Sequence, residues 1–244
     1  MIVFRSAIFN IMFYLNLVLF LVLGSWLMFC PRRWAMFALK TWAWSSLWLL
    51  DFICGTDFEV RGASHIPEGA CLVAGKHQSF WETFAILPLL ADPCVVLKRE
   101  LTFIPLFGWF ALKFRMIGVE RASGSKALKD MMKRAKQEVA ENRQIVIMPE
   151  GTRKNPDDPP DYKPGAAALY GALQVPCVPF GLNSGLFWPR RKFLRYPGTI
   201  VIEFAPVIPA GLKRADFQLR LERAIEDSTR RLVGEARLKQ TKQN

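Results

Sequence analysis

The chain has 244 residues, a formal net charge of +12 and a hydrophobic content of 51%. This length allows one sizeable α/β domain together with a membrane-attachment segment. A nucleic-acid-binding protein can be this basic but is rarely this apolar, so the composition argues against nucleic acid as a partner. Both numbers fit a protein that lies on anionic membrane lipid or handles a phosphorylated lipid. The five scattered cysteines include no Cys-x-x-Cys pair, which predicts neither a disulfide framework nor a metal site and favours a reducing, cytosolic setting.

Residues 1–54 are predicted to attach the protein to a membrane. No charged residue occurs between Ser6 and Pro31, and the segment 7–29 is almost continuously apolar. As a helix this segment would rise about 34 Å, enough to cross a hydrocarbon core of about 30 Å. A cleaved signal peptide is the alternative, but the apolar run is too long for one and no small-x-small cleavage site follows it.

A second apolar segment, 34–50, is rich in tryptophan. Tryptophan favours the headgroup region of a bilayer, so this segment is predicted either to lie in the interface or to turn back on the first helix as a hairpin. The basic residues Arg32, Arg33 and Lys40 favour a cytoplasmic position for the junction. We therefore expect a bacterial inner-membrane protein whose remaining chain faces the cytoplasm.

Residues 55–238 are predicted to form one α/β domain, and 239–244 a polar tail. Apolar runs predict short buried strands at 58–60, 71–74, 95–97, 145–148, 178–180 and 199–204. Apolar spacings of three and four predict helices at 125–142 and at about 215–238. Alternating strands and helices predict a mixed or mostly parallel sheet flanked by helices on both sides. The segment 155–161 is predicted to be a flexible loop.

The first candidate site runs from His77 to Glu82, after a predicted strand. A histidine can take a proton from an alcohol near neutral pH, and a carboxylate can fix its tautomer and stabilise the imidazolium. Five residues of regular helix would separate the two side chains, but they can meet if His77 lies in a loop and the helix begins near Ser79. The same residues match a capping box, in which Glu82 returns to the Ser79 N–H. The two roles are compatible.

The second candidate site is the loop sequence Glu150-Gly151-Thr152-Arg153, which also follows a predicted strand. Glycine lets backbone N–H groups approach an anion, and arginine supplies a forked donor that matches phosphate. Lys98 is a further candidate phosphate ligand because it ends a predicted strand, where loops gather ligands. Arg121 is another candidate. The basic and aromatic segment 187–196 is interpreted as a membrane or substrate contact, with an ordinary charged surface as the alternative.

Together these motifs resemble the 1-acyl-sn-glycerol-3-phosphate acyltransferase (lysophosphatidic acid acyltransferase) family. The segment 77–82 resembles the family's His-x4-Asp block, and 148–153 resembles its Phe-Pro-Glu-Gly-Thr-Arg block. Three other blocks of the family are matched in order by 98–121, 163–166 and 175–179. Two residues depart from the family pattern, since Glu82 replaces the usual aspartate and Lys76 the common asparagine.

The resemblance implies a glycerolphosphate-acyltransferase-like fold and the transfer of a fatty acyl group to 1-acyl-sn-glycerol 3-phosphate, giving phosphatidic acid. It implies that His77 is the general base and Glu82 its partner. The implied phosphate ligands are Lys98, Arg121, Gly151, Thr152 and Arg153. No metal or cofactor is implied. The co-substrate is an acyl-CoA or acyl-carrier-protein thioester, which makes an acyl carrier protein a candidate partner.

Two other functions fit the same residues. One is an acyltransferase for another lysolipid, such as a lyso-ornithine lipid, and the other is a non-catalytic lipid-binding membrane protein. A lysophospholipid hydrolase is disfavoured because the sequence contains no Gly-x-Ser-x-Gly nucleophile elbow.

Overall fold

The computed structural model describes residues 1–120 and 124–243. In these residues a seven-stranded sheet is flanked by helices on both faces. The strands are β1 (Thr56–Arg61), β2 (Leu72–Gly75), β3 (Pro93–Lys98), β4 (Ile117–Val119), β5 (Gln144–Ile147), β6 (Cys177–Leu182) and β7 (Gly198–Phe204). The helices are α1 (Ile2–Leu23), α2 (Arg32–Cys54), α3 (Trp81–Ala85), α4 (Phe107–Lys113), α5 (Gly124–Ala140), α6 (Gly165–Leu173), α7 (Ser184–Phe187) and α8 (Arg214–Gln243).

The sheet is mostly parallel, which confirms the predicted fold class. Its strand order is β1-β7-β6-β2-β5-β3-β4, and only β6 and β7 pair antiparallel. The carboxyl ends of β6, β2, β5, β3 and β4 therefore meet at one edge of the sheet. All six predicted strands are present. The sequence pattern does not indicate β4, because a strand of three residues that includes a glycine leaves almost no apolar run to recognise.

Two apolar cores lie on opposite faces of the sheet, because successive side chains of a strand point to opposite sides. Val73 and Val146 face a core formed with α1, α2, α3 and α4. Leu72 and Ile145 face a second core formed with α5, α6 and α8. Burial on both faces explains why the strands read as continuous apolar runs and not as alternating ones.

The closing helix is longer than the sequence pattern predicts. α8 continues to Gln243, so residues 239–243 of the expected polar tail are helical, and Asn244 lies outside the described residues. The last turns lack the apolar spacing that marks the buried part of α8, and this is why the pattern ends the helix near Leu238.

The two N-terminal helices form an antiparallel hairpin. The Asn16 amide donates to the hydroxyls of Ser45 and Ser46, at 2.9 and 3.0 Å, and the Phe20 ring stacks on Trp42 with 5.8 Å between ring centroids. α1 ends at Leu23, and a short 3₁₀ turn (Ser25–Phe29) leads back to α2. The structure therefore has the hairpin that the sequence left as one of two alternatives.

The hairpin rests on the α/β domain along its whole length. Ser6 Oγ accepts the Arg195 N–H at 2.9 Å near one end of α1. The Phe20 ring lies 5.1 Å from the Phe110 ring near the other end. In α2, Arg32 pairs with Asp92 through two hydrogen bonds of 2.7 and 2.5 Å. A basic residue that the sequence suggests as a membrane orientation signal thus holds the hairpin on the domain.

α1 is long and apolar enough to cross a membrane, with a mean hydropathy of 2.2, and no other helix in the described residues has these properties. Length and composition alone do not show that it does so. The face of the hairpin that points away from the domain is covered by exposed apolar side chains. We call this the outer face; it includes Ile11, Leu15, Val18, Phe37, Trp48 and Phe52.

Candidate active site

His77 and Arg153, two of the predicted site residues, lie at the edge where the parallel strands end. The loop after β2 carries His77, the loop after β5 carries Arg153, and α7 begins directly after β6 with Ser184. β6, β2 and β5 are neighbours in the sheet, so these three loops lie side by side. Ligand-binding residues collect at such carboxyl edges in open α/β sheets.

His77 and Glu82 are in direct contact. His77 Nδ1 lies 2.9 Å from Glu82 Oε1, and α3 begins only at Trp81, so His77 occupies the loop before the helix. The Glu82 side chain is fully buried, whereas 14% of the His77 side chain is exposed. Because a carboxylate oxygen accepts, Nδ1 carries the proton in the neutral ring, and Nε2 is left with a free lone pair.

Glu82 also completes a capping box. Its Oε1 accepts the N–H groups of Gln78 and Ser79, both at 2.7 Å, while Ser79 Oγ accepts the Trp81 N–H at 3.1 Å. The same carboxylate oxygen therefore serves the helix cap and the histidine. The sequence does not distinguish a capping role of Glu82 from a role as the partner of His77, and the structure contains the contacts of both.

A residue that the sequence reasoning did not select, Ser184, holds the other oxygen of Glu82. Its hydroxyl donates to Glu82 Oε2 at 2.8 Å, and the next residue, Gly185, donates its N–H to Gln78 Oε1 at 3.0 Å. A Cβ at position 185 would lie 2.9 Å from Pro156 Cγ, so a glycine is needed there for α7 to pack this closely against the loop that contains Pro156. The only sequence signal for Ser184 is a polar residue after a buried strand, which is too common to select it.

We expect Ser184→Ala to lower turnover about tenfold and the free energy of unfolding by about 1 kcal/mol. The physical reason is that Glu82 Oε2 loses its donor while remaining buried, so the carboxylate holds His77 less firmly. Turnover and melting temperature are measured beside Ser45→Ala, a serine of the hairpin whose hydroxyl bonds to Asn16 and the Trp42 carbonyl and not to Glu82. An unchanged turnover in Ser184→Ala would show that the hydroxyl does not support the pair.

Arg153 lies beside this pair. Its guanidinium is 5.3 Å from the centroid of the Phe80 ring, a cation–π contact. Burial lowers the pKa of Arg153, the Glu82 charge counteracts this, and the nearby Arg190 and Arg191 lower the pKa further. In the described part of the chain no carboxylate forms an ion pair with Arg153. The arrangement leaves a half-buried cation available to an anionic ligand.

The other predicted site residues differ in their placement. Glu150 is buried and pairs with Lys76 at 3.0 Å, so it supports the loop from the inside. Gly151 has a φ of +64°, which favours glycine, and Thr152 is exposed. Lys98 ends β3 at the surface, where it pairs with Glu100 at 2.9 Å. Arg121 lies outside the described residues.

The wall of the site on the hairpin side is aromatic. Phe13 of α1 packs against Phe80 and Trp188, with centroid distances of 5.9 and 5.6 Å. Phe80 in turn carries the Arg153 guanidinium on its face. The hairpin therefore forms part of the candidate site and does not merely tether it.

Residues 57–183, just over half of the chain, match the family model described as Acyltransferase. The chain belongs to the acyltransferase family. The matched segment includes every predicted site residue, from His77 to Arg153.

Several relatives align over about two thirds of the chain. It is 34% identical over 165 residues to the 1-acyl-sn-glycerol-3-phosphate acyltransferase of Pseudomonas aeruginosa, covering 68% of this chain and 64% of that protein. It is 31% identical over 169 residues to the human 1-acyl-sn-glycerol-3-phosphate acyltransferase beta, covering 68% and 61%. The chain thus spans less than two thirds of the length of these relatives.

A solved structure shares the fold of this chain. The crystal structure of the 1-acyl-sn-glycerophosphate (LPA) acyltransferase PlsC from Thermotoga maritima matches with a TM-score of 0.80. The match covers 95% of this chain and 98% of that one, hairpin and domain together. The sequence identity is 18%, so the likeness concerns the fold.

Proposed function

We propose that this chain transfers a fatty acyl group from an acyl thioester to the free hydroxyl of 1-acyl-sn-glycerol 3-phosphate. The observation that carries the proposal is the 2.9 Å contact between His77 and the buried Glu82, with Arg153 beside it. The relatives that align with this chain bear the name of this activity.

In the proposed mechanism His77 Nε2 takes the proton of the acceptor hydroxyl. The oxygen attacks the thioester carbonyl, the C–S bond breaks, and the leaving thiolate takes the proton back from the imidazolium. Glu82 stabilises the imidazolium in the interval. General-base catalysis contributes about 10²- to 10⁴-fold, so the remaining acceleration comes from holding the two substrates in line.

Arg153 is the proposed main ligand of the acceptor phosphate. Its guanidinium is partly desolvated, which strengthens a charge-assisted pair with phosphate, and the glycine before Thr152 lets the backbone come close to the anion. Lys98 ends β3 at the same edge of the sheet, and it is proposed as a further phosphate ligand together with Arg121.

One experiment tests the acceptor. Purified protein is given labelled acyl-CoA or acyl-acyl-carrier protein together with lysophosphatidic acid, a lyso-ornithine lipid or lysophosphatidylcholine, and the products are identified. We expect lysophosphatidic acid to be the preferred acceptor. Preference for the lyso-ornithine lipid would favour the alternative acyltransferase, and binding of lysolipid without product would favour a lipid-binding protein. The same panel identifies the acyl donor.

We expect Arg153→Gln to raise the KM for lysophosphatidic acid at least tenfold while kcat changes little. The neutral amide cannot form the forked, charged pair with phosphate, and it does not touch His77. Steady-state kinetics are compared with those of Arg220→Gln, an exposed arginine on α8. An unchanged KM in the Arg153 variant would place the acceptor phosphate elsewhere.

We infer that the hairpin lies in one leaflet of the membrane with its outer face among the lipids. Contacts with the domain extend from Ser6 to Phe20 of α1, so this helix cannot project away from the domain into a bilayer. The exposed apolar side chains of the outer face suit immersion to the depth of the acyl chains. Access of lipid substrates to the site from the membrane follows from this arrangement.

We expect the full-length protein to stay with membranes through high salt and alkaline carbonate, and Val18→Asp/Trp48→Asp to be released. Both side chains are exposed on the outer face, so the charges weaken the attachment without disturbing the packing of the hairpin. Sedimentation with vesicles and melting temperature are measured beside Leu219→Asp, an exposed leucine on α8. Equal release of the Leu219 variant would contradict attachment through the outer face.

A further inference from the structure

A buried lysine with two acidic partners lies beneath the site. Lys76 is 1% exposed, and its Nζ donates to Glu150 Oε1 at 3.0 Å and to Glu226 Oε1 at 2.7 Å. The Tyr162 hydroxyl donates to the same oxygen of Glu226 at 2.8 Å. The four residues come from three segments: Lys76 directly follows β2, Glu150 and Tyr162 lie in the loop between β5 and α6, and Glu226 lies on α8. Burying such a group is costly unless every charge is paired.

This cluster connects directly to the His77 loop. Lys76 precedes His77 in the chain, and Glu150 begins the loop that carries Arg153. At the other end of that loop, Lys154 donates its N–H to the His77 carbonyl oxygen at 2.8 Å. The segment 150–154 is therefore fixed to the His77 loop at two points, one an ion pair and one a backbone hydrogen bond.

The charge balance of the cluster depends on Lys76. Burial raises the pKa of Glu150, Lys76 counteracts this, and Glu226 raises the pKa further. The pKa of Tyr162 is raised strongly, first by burial and then by Glu226, with Glu222 adding to it, so Tyr162 stays a neutral donor. Among these facing groups in the described structure, Lys76 is the sole cation. Without it the buried carboxylate of Glu150 and the partly buried carboxylate of Glu226 would lie together without a cation between them.

We propose that Lys76 is a positioning residue: by binding Glu150 and Glu226 together it holds the loop 150–154 against His77. The loop position in turn sets the distance from Arg153 to the His77–Glu82 pair. The role rests on the proposed function, because it concerns the placement of the acceptor phosphate relative to the base. A lysine with only a structural role would support the melting temperature and leave acceptor binding and pH dependence unchanged.

Two variants of full-length protein test the role through opposite effects. Lys76→Met removes the cation that joins Glu150 and Glu226, so the loop 150–154 loosens at every pH and the KM for the acceptor rises. Its kcat/KM at pH 7 falls at least tenfold. Glu226→Gln removes the competing carboxylate, so Glu150 stays ionised and paired with Lys76 to lower pH, and the acidic limb of kcat/KM for the acceptor moves to lower pH through the KM. Lys133→Met on α5 and Glu235→Gln on α8, both away from the cluster, serve as matched controls and leave the acceptor KM and the limb in place.

A double variant shows whether Lys76 acts through Glu150. In a Glu150→Gln background, Lys76→Met is expected to raise the acceptor KM no further, because the group on which it acts is gone. If Lys76→Met alone does not fold, Lys76→Met/Glu226→Gln replaces it, since it removes one carboxylate together with the cation. Variants that lower only the melting temperature, with the acidic limb and the acceptor KM unchanged, would overturn the proposal.

A substrate-free measurement separates this proposal from the proposed function. Diethyl pyrocarbonate modifies histidines, and mass spectrometry follows His77 and His65 in the same sample. We expect Lys76→Met to raise the modification rate of His77 severalfold, as the loop 150–154 loosens, and to leave that of His65 unchanged. Should wild-type protein acylate no lysolipid, the proposed function fails while this rate still decides the role of Lys76. Equal His77 rates in both proteins would reject that role.

Discussion

Replacing His77 with alanine is expected to abolish acyl transfer and to leave the fold intact. The ring lies partly exposed in a loop and makes its hydrogen bond to Glu82, so its loss opens no cavity in either core. Without a general base at the hydroxyl, turnover falls by about 10²- to 10⁴-fold. Product formation and melting temperature of the purified variant are the measurements.

His65 provides the matched control. Its Nδ1 donates to the Phe204 carbonyl at 2.8 Å. This contact lies at the side of the sheet formed by β1 and β7, away from the carboxyl edge that carries the site. His65→Ala is expected to keep near-normal turnover. The general-base role of His77 would be wrong if His77→Ala kept more than a few per cent of wild-type turnover.

The sheet was predictable because its strands are buried on both faces. Each central strand is an apolar run that ends at a polar or glycine-containing loop, and this signal does not depend on long-range contacts. The strand order is a different matter. The antiparallel pairing of β6 and β7 depends on the path between Leu182 and Gly198, and no local pattern in that segment specifies it.

For the hairpin too, the local sequence pattern does not specify the arrangement. A continuous apolar run predicts attachment by length and composition alone, and it has the same appearance whether the helix crosses a bilayer or lies on a domain. What decides between these is the set of contacts made by a few side chains within the run. Phe13 and Ser6 meet partners more than sixty residues away, and the sequence does not indicate those partners.

The site was predictable where its residues are close in sequence. His77 and Glu82 are five residues apart, so geometry at the start of a helix could bring them together. Ser184 and Glu226 contact the same loops but lie far away in the sequence. Ser184 is 102 residues from its partner Glu82, and Glu226 is 150 residues from its partner Lys76. Lys76 was visible as a departure from the family pattern, but its meaning depends on Glu226, which no motif marks.

The replacement of Glu82 by glutamine is expected to separate its two roles. The Glu82 carboxylate accepts four hydrogen bonds, three at Oε1 and one at Oε2. A glutamine whose carbonyl oxygen takes the place of Oε1 keeps the first three. Its amide then faces Ser184, whose hydroxyl can rotate and accept. The hydrogen bonds of the helix cap are therefore kept. We expect the free energy of unfolding to fall by no more than about 1 kcal/mol, with a correspondingly small decrease in melting temperature.

The charge does not survive, and the proposed catalysis depends on it. When His77 takes the proton, its imidazolium lies 2.9 Å from the Glu82 carboxylate. The Glu82 side chain is fully buried, so water does not screen the attraction between the two charges. The neutral glutamine no longer offsets that charge. We expect turnover of Glu82→Gln to fall by about 10²- to 10⁴-fold.

Glu82→Asp is the matched comparison, because it keeps the charge and shortens the side chain by one methylene. Its carboxylate cannot keep all four hydrogen bonds without movement of the loop, but it still offsets the imidazolium, as the aspartate of the family's His-x4-Asp block implies. We expect it to retain at least tenfold more turnover than Glu82→Gln and to melt at a similar or lower temperature. Turnover and melting temperature are measured for both variants side by side. Near-normal turnover in Glu82→Gln would leave Glu82 as a helix cap alone, because the buried negative charge would then have no part in the reaction.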